Sequence, residues 1–194
     1  MKVITISREY GAGGHSIGTR VAKELGIEFY DKDILRETAK AAGIDISNVE
    51  SEEEQISLAQ SIIRSITPVS YDPKESLYEI QQKVISEIAA KGPCVILGRL
   101  ADFILEEAGI DSLNVFIYAD DLHRAKRVGE LLNTDNISEI QKKMKKMDRA
   151  RHAYYTHFTG KRWDDCHNFD LTLNSGALGY EACVKLICEA AKAE

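Results

Sequence analysis

The chain of 194 residues lacks several features that mark common classes of protein. No stretch approaches the roughly eighteen continuous apolar residues of a membrane-spanning helix, so no membrane partner is expected. Basic residues are not in excess, and a formal net charge of −6 argues against a general nucleic-acid binder, which usually presents a basic face. The four cysteines form no Cys-x-x-Cys pair, which favours reduced thiols in a cytoplasmic protein.

The chain does contain an alternation of apolar strands and helices, over a length that fits one domain, residues 1–194. An apolar fraction of 44% supports a substantial core, and the first residues read as a core strand rather than as a signal peptide. Strands are predicted to begin at Val3 and to cover 28–30, 94–97, 115–118 and 170–173, and helices to cover about 16–25, 31–42, 52–65, 75–91 and 178–191. This order predicts an α/β fold in which helices flank both sides of a parallel sheet.

A glycine-rich turn follows the first strand and precedes the first helix. Its three glycines let the backbone turn sharply, which brings several N–H groups to bear on one point. The N-terminus of the following helix adds partial positive charge, so the turn favours an anion, and a nucleotide phosphate in particular. The predicted phosphate-binding residues are Gly11, Ala12, Gly13, Gly14, His15 and Ser16.

The turn departs at two positions from the phosphate-loop pattern of Gly, four residues and Gly-Lys-Ser/Thr. Glu9 stands where the first glycine belongs and His15 where the lysine belongs, whereas Ser16 keeps the hydroxyl that would face Mg²⁺. Histidine is a weaker phosphate partner than lysine, because it is protonated only near or below its own pKa. Arg8 or Lys32 is an alternative source of permanent positive charge.

The same glycines also approximate the dinucleotide-binding fingerprint. Gly11-x-Gly13-x-x-Ser16 is followed about twenty residues later by Asp31, at the end of the second predicted strand. Serine replaces the third glycine, which should pack closely against the sheet. The chain also carries several arginines suited to phosphates, which a hydride-transfer enzyme does not require. The phosphate-loop interpretation is therefore preferred.

Basic residues are concentrated between residues 142 and 162, where Asp148 is the single acidic residue. Met144 and Met147 give the segment an apolar edge, which predicts a helix with a basic face that runs into a loop at Thr159-Gly160. A run of charge is usually a solvated face. Beside a phosphate loop, however, a mobile basic segment could close over transferring phosphates and exclude water.

Five segments form a distinctive set when they are taken together. They are Ile6–Gly14 (ISREYGAGG), Phe29–Lys32 (FYDK), Val95–Arg99 (VILGR), Ala150–Trp163 (ARHAYYTHFTGKRW) and Asp170–Ser175 (DLTLNS). The set resembles the cytidylate kinase-like family, a branch of the nucleoside monophosphate kinases, over nearly the whole chain. The resemblance implies a P-loop NTPase-type α/β fold with a parallel five-stranded sheet. Its core would cover about 1–35, 92–137 and 168–194, with a helical acceptor-binding insertion at about 36–91 and a basic lid at about 138–167.

The resemblance also implies an activity and its cofactors. The reaction would be phosphoryl transfer from ATP, with Mg²⁺, to a pyrimidine monophosphate such as CMP or dCMP, so small nucleotides are the expected partners. The glycine turn with His15 would bind the donor phosphates, and Ser16 would hold the metal. Arg149 and Arg151 fall where lid arginines reach the transferring group, so they join His15 as predicted catalytic residues. Arg151 is expected on an exposed basic face.

On the acceptor side, the resemblance points to Asp31, Arg36 and Arg99 as substrate-binding residues. Arg36 sits where these kinases place an arginine on the acceptor phosphate, and Arg99 matches a second such arginine. Arg36 also fits an exposed helix arginine, and Asp31 an ordinary N-cap. Arg99 is better placed to bind a ligand, because an arginine at the carboxyl end of a parallel strand lies where such sheets bind ligands.

Leu97 marks another departure, since cytidylate kinases place an acidic residue there. Mg²⁺ would then be held by Ser16, waters and phosphates alone, or by Asp102 reaching in. Two classes of function follow: a phosphotransferase, or a nucleotide-binding sensor or regulatory protein without efficient catalysis. The retained arginines favour the enzyme, because a sensor has no reason to keep charges around a second phosphate.

Overall fold

The structure of the protein, a computed structural model, describes residues 1–31 and 73–193. The chain divides into two units, the first made of Met1–Phe29 and Pro93–Glu194 and the second of Tyr30–Gly92. The helices predicted at 31–42 and 52–65 fall on residues 32–72, outside the described part, and so do Lys32 and Arg36.

Short apolar and β-branched runs form a five-stranded sheet. The strands are β1 (Val3–Arg8), β2 (Glu28–Tyr30), β3 (Cys94–Leu97), β4 (Ser112–Tyr118) and β5 (Leu171–Asn174), in the order β2-β3-β1-β4-β5. β1 lies between β3 and β4 and pairs with both in parallel, so that Ile6 is opposite Leu97 on one side and Val115 on the other. β4 pairs in parallel with β5. The predicted five-stranded parallel sheet is confirmed, with β1 at its centre.

Helices alternate with these strands along the described parts of the chain. They are α1 (Gly14–Leu25), α2 (Pro73–Ala89), α3 (Ala101–Glu107), α4 (Asp121–Leu132), α5 (Ile137–Thr159), α6 (Ser175–Leu178) and α7 (Tyr180–Lys192), with a 3-10 turn at Cys166–Asn168. α2 belongs to the second unit, and the others belong to the first. α3 and α4 were not predicted. α4 is capped by Asp120, whose side chain accepts a hydrogen bond from the N–H of His123 at 2.9 Å.

The main core lies between the sheet and the two helices α1 and α7. It joins Ile4, Ile6, Val95, Leu97, Val115 and Ile117 of the strands to Ile17 and Val21 of α1 and Cys183, Val184 and Ile187 of α7. Cys183 and Cys188, the two cysteines on α7, are both buried. Within the described residues, none of the helices combines the length and the apolar character needed to cross a lipid bilayer.

The basic segment forms the long helix α5. Asn136 caps its start by accepting a hydrogen bond from the N–H of Glu139 at 3.2 Å. Gly160 ends it in the left-handed conformation, with φ of 66°. Met144, Met147 and Tyr155 are among the residues buried along one side. The predicted helix with an apolar edge and an end at Thr159-Gly160 is therefore confirmed.

A buried hydrogen bond fastens the second half of α5 to α3. The hydroxyl of Tyr155 donates to the carboxyl of Asp102 at 2.9 Å, and Asp102 is only 5% exposed. Burial raises the pKa of Asp102, and the hydrogen bond from Tyr155 opposes that shift in part. The carboxyl group that the sequence offered for Mg²⁺ is therefore engaged with α5.

We expect Asp102→Asn to gain stability relative to the wild type as pH rises. The amide oxygen of asparagine still accepts the hydrogen bond from Tyr155, but no charge has to be buried. A raised carboxyl pKa gives stability that is fully present below the unfolded value of about 3.9 and is lost as pH rises through the folded value. The free energy of unfolding in urea, measured for both proteins from about pH 4 to about pH 8, tests this. The difference should grow by about 1.4 kcal/mol for each unit of pKa shift.

Asp135→Asn is the matched control, because it removes one exposed carboxylate without touching this hydrogen bond. A difference between Asp102→Asn and the wild type that stays constant with pH would contradict a raised pKa for Asp102.

Candidate active site at the carboxyl end of the central strand

The glycine turn joins the carboxyl end of β1 to the N-terminus of α1. Gly11 and Gly13 have φ angles of 86° and 82°, in the left-handed region that glycine tolerates best. Gly13 is the N-cap of α1, and the helix begins without a side-chain hydrogen bond at this cap. The predicted phosphate-binding residues thus form one turn at an uncapped helix N-terminus, an arrangement that suits an anion.

Neighbouring elements pack closely behind this turn. A Cβ on Gly11 would lie 2.8 Å from a backbone carbonyl oxygen of α4, and a Cβ on Gly13 would overlap the ring of Tyr180. The buried hydroxyl of Ser175 donates to the carbonyl of Ala12 at 2.7 Å. The shape of the turn is therefore fixed by α4, α6 and α7, and a larger residue at either glycine would disturb that packing.

His15 and Ser16 lie in the first turn of α1. The His15 ring is exposed and meets Phe29 edge to face, with the ring centroids 5.2 Å apart. Ser16 is half-buried. Mg²⁺ prefers oxygen ligands and is commonly held by one or two protein groups together with substrate phosphates. A hydroxyl at the end of an anion-binding turn therefore fits the metal that accompanies a nucleotide.

The side chain of Arg8, the last residue of β1, lies alongside the turn. A Cβ on Gly14 would come within 2.7 Å of Arg8 Cγ, and a Cβ on Gly98 would overlap the Arg8 guanidinium. Gly14 is the first residue of α1, and Gly98 directly follows β3. Arg8 therefore extends from the glycine turn to the end of the neighbouring strand.

The chain turns sharply after β3. Gly98, Arg99 and Leu100 have consecutive φ angles of 71°, 63° and 55°. The left-handed conformation costs about 1–2 kcal/mol for a residue with a side chain, and such outliers cluster at ligand sites. Leu97, just before the turn, is fully buried in the core opposite Ile6, so this position supplies an apolar side chain and no carboxylate.

A buried arginine of α4 joins the glycine turn to α5. Nη1 of Arg124 lies 3.2 Å from Oε2 of Glu9 and 2.7 Å from Oδ2 of Asp148, and the Arg124 side chain is 9% exposed. Its Nη2 lies 3.2 Å from Oδ1 of Asp121. The other oxygen of Asp148 accepts a hydrogen bond from the N–H of Tyr10 at 2.8 Å. One guanidinium therefore binds carboxylates from three segments of the chain.

The electrostatics of this cluster follow from burial and from the opposing charges. Burial raises the pKa of Glu9, and the charge of Arg124 and the N–H of Ala119 oppose that shift. Burial alone would lower the pKa of Arg124, but Asp148 and Glu9 raise it overall. Arg124 therefore stays charged and balances the carboxylate that stands where the phosphate-loop pattern has a glycine.

The two predicted lid arginines occupy different environments. Arg149 is exposed. Nη1 of Arg151 donates to the carbonyl of Arg8 at 3.0 Å, and its guanidinium lies over the ring of Tyr10. The Arg151 side chain is only 17% exposed. The expectation of an exposed Arg151 is therefore wrong, because the helix pitch places it on the same face as Asp148, towards the glycine turn.

The structure locates the predicted acceptor residues unequally. Arg99 lies in the turn after β3 and is half-buried. Asp31 is half-buried and belongs to the second unit, and Arg36 is outside the described residues. Sequence reasoning missed the role of Arg124, for which no local signal exists. Asp148 did carry a signal, as the single acidic residue in a basic run.

Solved structures with this architecture include P-loop kinases. An uncharacterized protein from Eubacterium ventriosum has a TM-score of 0.76 and 24% identity over 100% of both chains. Shikimate kinase from Bacteroides thetaiotaomicron has a TM-score of 0.58 and 13% identity over 99% of both chains. The Mycobacterium tuberculosis APS kinase CysC, in complex with AMPPNP and APS, has a TM-score of 0.53 and 20% identity over 99% of both chains. At these identities the likeness shows the fold alone, which is the P-loop NTPase-type α/β fold.

Comparison by sequence identifies a narrower group of proteins than comparison by structure. Among curated proteins, none matches the chain. The cytidylate kinase-like family matches residues 3–177, a range that contains the glycine turn, the turn after β3 and the whole of α5. The chain therefore belongs to the cytidylate kinase-like family.

Proposed function

We propose that the protein transfers a phosphoryl group from ATP to a nucleoside monophosphate, with CMP or dCMP as the expected acceptor. One observation carries the proposal. The glycine turn follows β1 and the Arg99 turn follows β3, and these two strands are parallel neighbours. The carboxyl ends of neighbouring parallel strands share one edge of the sheet, where α/β folds bind ligands. A donor on the first turn and an acceptor on the second would therefore lie side by side.

In the proposed reaction, an oxygen of the acceptor phosphate forms a bond to the γ-phosphorus of ATP. The bond from that phosphorus to the β–γ bridging oxygen breaks, and its electron pair leaves with ADP. A dianionic acceptor phosphate has no proton to lose, so positioning and charge balance are the main tasks of the protein. The N–H groups of the glycine turn would hold the donor, Arg99 the acceptor and Ser16 the Mg²⁺. When bound, Mg²⁺ supplies positive charge at the donor phosphates.

The lid residue proposed to reach the transferring group is Arg149. It is exposed on α5, whereas Arg151 is fixed to the carbonyl of Arg8. A guanidinium is permanently charged and can bind two phosphate oxygens at once. Arg149 would then act on the transition state, and Arg151 would hold α5 against the glycine turn.

A nucleotide-binding sensor without efficient catalysis is the second candidate function. The burial of Leu97 in the core favours it, because the family position for a carboxylate near the metal is apolar here. The strained Arg99 turn favours the enzyme, since costly backbone conformations are kept where a ligand needs them.

The proposed location is the cytoplasm. All four cysteines are free thiols, which is the usual state in a reducing compartment. Burial raises the pKa of Cys94 to about 11, so this thiol has little of the reactive thiolate form at neutral pH.

The class of function is tested by a coupled assay of ADP release with ATP and Mg²⁺ across a panel of nucleoside monophosphates. We expect release above the no-acceptor blank, with CMP or dCMP giving the highest rate. Shikimate and APS, which are bound in solved structures of kinases with this fold, are the matched control acceptors. Release equal to the blank with every acceptor, together with intact ATP binding, would favour the sensor.

Substitution of the two lid arginines should separate their roles. We expect Arg149→Ala to lower kcat by about a hundredfold, with little change in ATP affinity, because its interaction is made mainly in the transition state. Its melting temperature should be normal, since exposed changes usually stay within about 0.5 kcal/mol. Arg151→Ala should lower stability by about 1.5 kcal/mol or more, because a charge-assisted hydrogen bond to the Arg8 carbonyl is lost.

Steady-state kinetics and thermal unfolding of both variants measure these effects. Lys145→Ala, an exposed change on the same helix, controls for the loss of one positive charge. Unchanged turnover in Arg149→Ala would indicate that the exposed basic face of α5 is only a solvated surface.

A further inference from the structure

The Arg8 side chain runs past two glycines, one at the start of α1 and one in the turn after β3. Gly14 lies beside the aliphatic part, since a Cβ there would be 2.7 Å from Cγ and 2.8 Å from Cβ of Arg8. Gly98 lies beside the guanidinium, which a Cβ at that position would overlap. The molecule therefore leaves room along the whole length of this side chain.

Gly14 is informative because its backbone does not require glycine. It is the first residue of α1 and is absent from the glycines with positive φ, unlike Gly11 and Gly13. Any residue could adopt its helical conformation, and a side chain there is excluded by contact with Arg8. Space for Arg8 is thus the physical reason for glycine at this position.

The main chain beneath Arg8 is held firmly. Its carbonyl accepts the hydrogen bond from Arg151, and the next N–H, that of Glu9, donates to the carbonyl of Ile117 at 3.0 Å. The Glu9 carboxylate is bound by Arg124 and by the N–H of Ala119 at 3.2 Å. The base of the Arg8 side chain is therefore fixed.

We infer that the Arg8 guanidinium binds the phosphoryl group in transit between the glycine turn and the Arg99 turn. This inference rests on the proposed function. In the phosphate-loop pattern, a lysine reaches the terminal donor phosphates. Arg8 takes that role from the end of β1, with a permanent charge and a planar group that binds two oxygens at once. Arg8 forms no covalent bond. The electron pair of the broken phosphorus–oxygen bond leaves with ADP, and the charge of Arg8 offsets the negative charge spread over the oxygens of the transferring group.

His15 is the competing source of this charge, because it occupies the lysine position of the pattern. If the His15 side chain carried the charge, His15→Gln would lower kcat more than Arg8→Met does. If Arg8 carries it, Arg8→Met lowers kcat much more than His15→Gln does.

The test compares Arg8→Met, Arg8→Lys and Arg8→Ala in the full-length protein with the wild type, in the ADP-release assay and in ATP titrations. We expect kcat of Arg8→Met to fall by about a hundredfold or more, with a much smaller change in ATP affinity. Arg8→Lys should keep the charge but lose the two-oxygen contact. Its kcat should therefore lie between those of the wild type and Arg8→Met. Guanidinium chloride at a sub-denaturing concentration should restore part of the turnover of Arg8→Ala, which a merely structural role would not allow.

Arg20→Met is the matched control, since Arg20 is exposed on α1 and lies outside the proposed site. Wild-type turnover in Arg8→Met would overturn the inference while leaving the proposed function intact. The same holds if His15→Gln lowers kcat more than Arg8→Met does. If Arg8→Met does not fold, Arg8→Lys and the guanidinium rescue decide: wild-type turnover in the first, or no rescue in the second, contradicts the inference. A wild type that transfers no phosphoryl group to any acceptor overturns the proposed function itself.

Discussion

The arrangement of this site depends on the buried guanidinium of Arg124. It binds Glu9 beside the glycine turn and Asp148 on α5, and the second oxygen of Asp148 binds the turn through the N–H of Tyr10. Removing one partner of a buried ion pair typically costs about 3–5 kcal/mol, because a charge is left without compensation. The interaction also explains how a carboxylate is tolerated next to the proposed anion site, because the charge of Glu9 is already balanced. The glycine turn and the basic helix are therefore one electrostatic unit.

The parts of the fold that were predictable are those with local signals. β1, the glycine turn and α1 follow from a β-branched run, three glycines and helical periodicity, and the end of α5 follows from Gly160. α3 gave no such signal, since its N-cap is Leu100 in a left-handed conformation without a side-chain hydrogen bond. The meeting of Glu9, Arg124 and Asp148 was not predictable either, because it needs the packing of three elements that are far apart in the sequence.

The environments of charged residues were even less predictable from the sequence. Arg149 and Arg151 are two residues apart and equally basic, yet one is exposed and the other is bound to the Arg8 carbonyl. His15 was predicted because it occupies the lysine position of the phosphate-loop pattern. The space that Gly14 and Gly98 leave for Arg8 was not predictable, because it depends on the pairing of β1 with β3.

The turn after β3 has a consequence for how this chain can change over evolution. Leu100 holds a left-handed conformation that costs about 1–2 kcal/mol, and its side chain is only 4% exposed. Burying a leucine contributes about 1.5–3 kcal/mol, so its burial in the core offsets the strain at Leu100 itself. Glycine would relieve the backbone but forfeit that burial, so selection for stability alone has no simple route to a relaxed turn. The conformation of the Arg99 turn is therefore tied to the burial of Leu100 in the hydrophobic core.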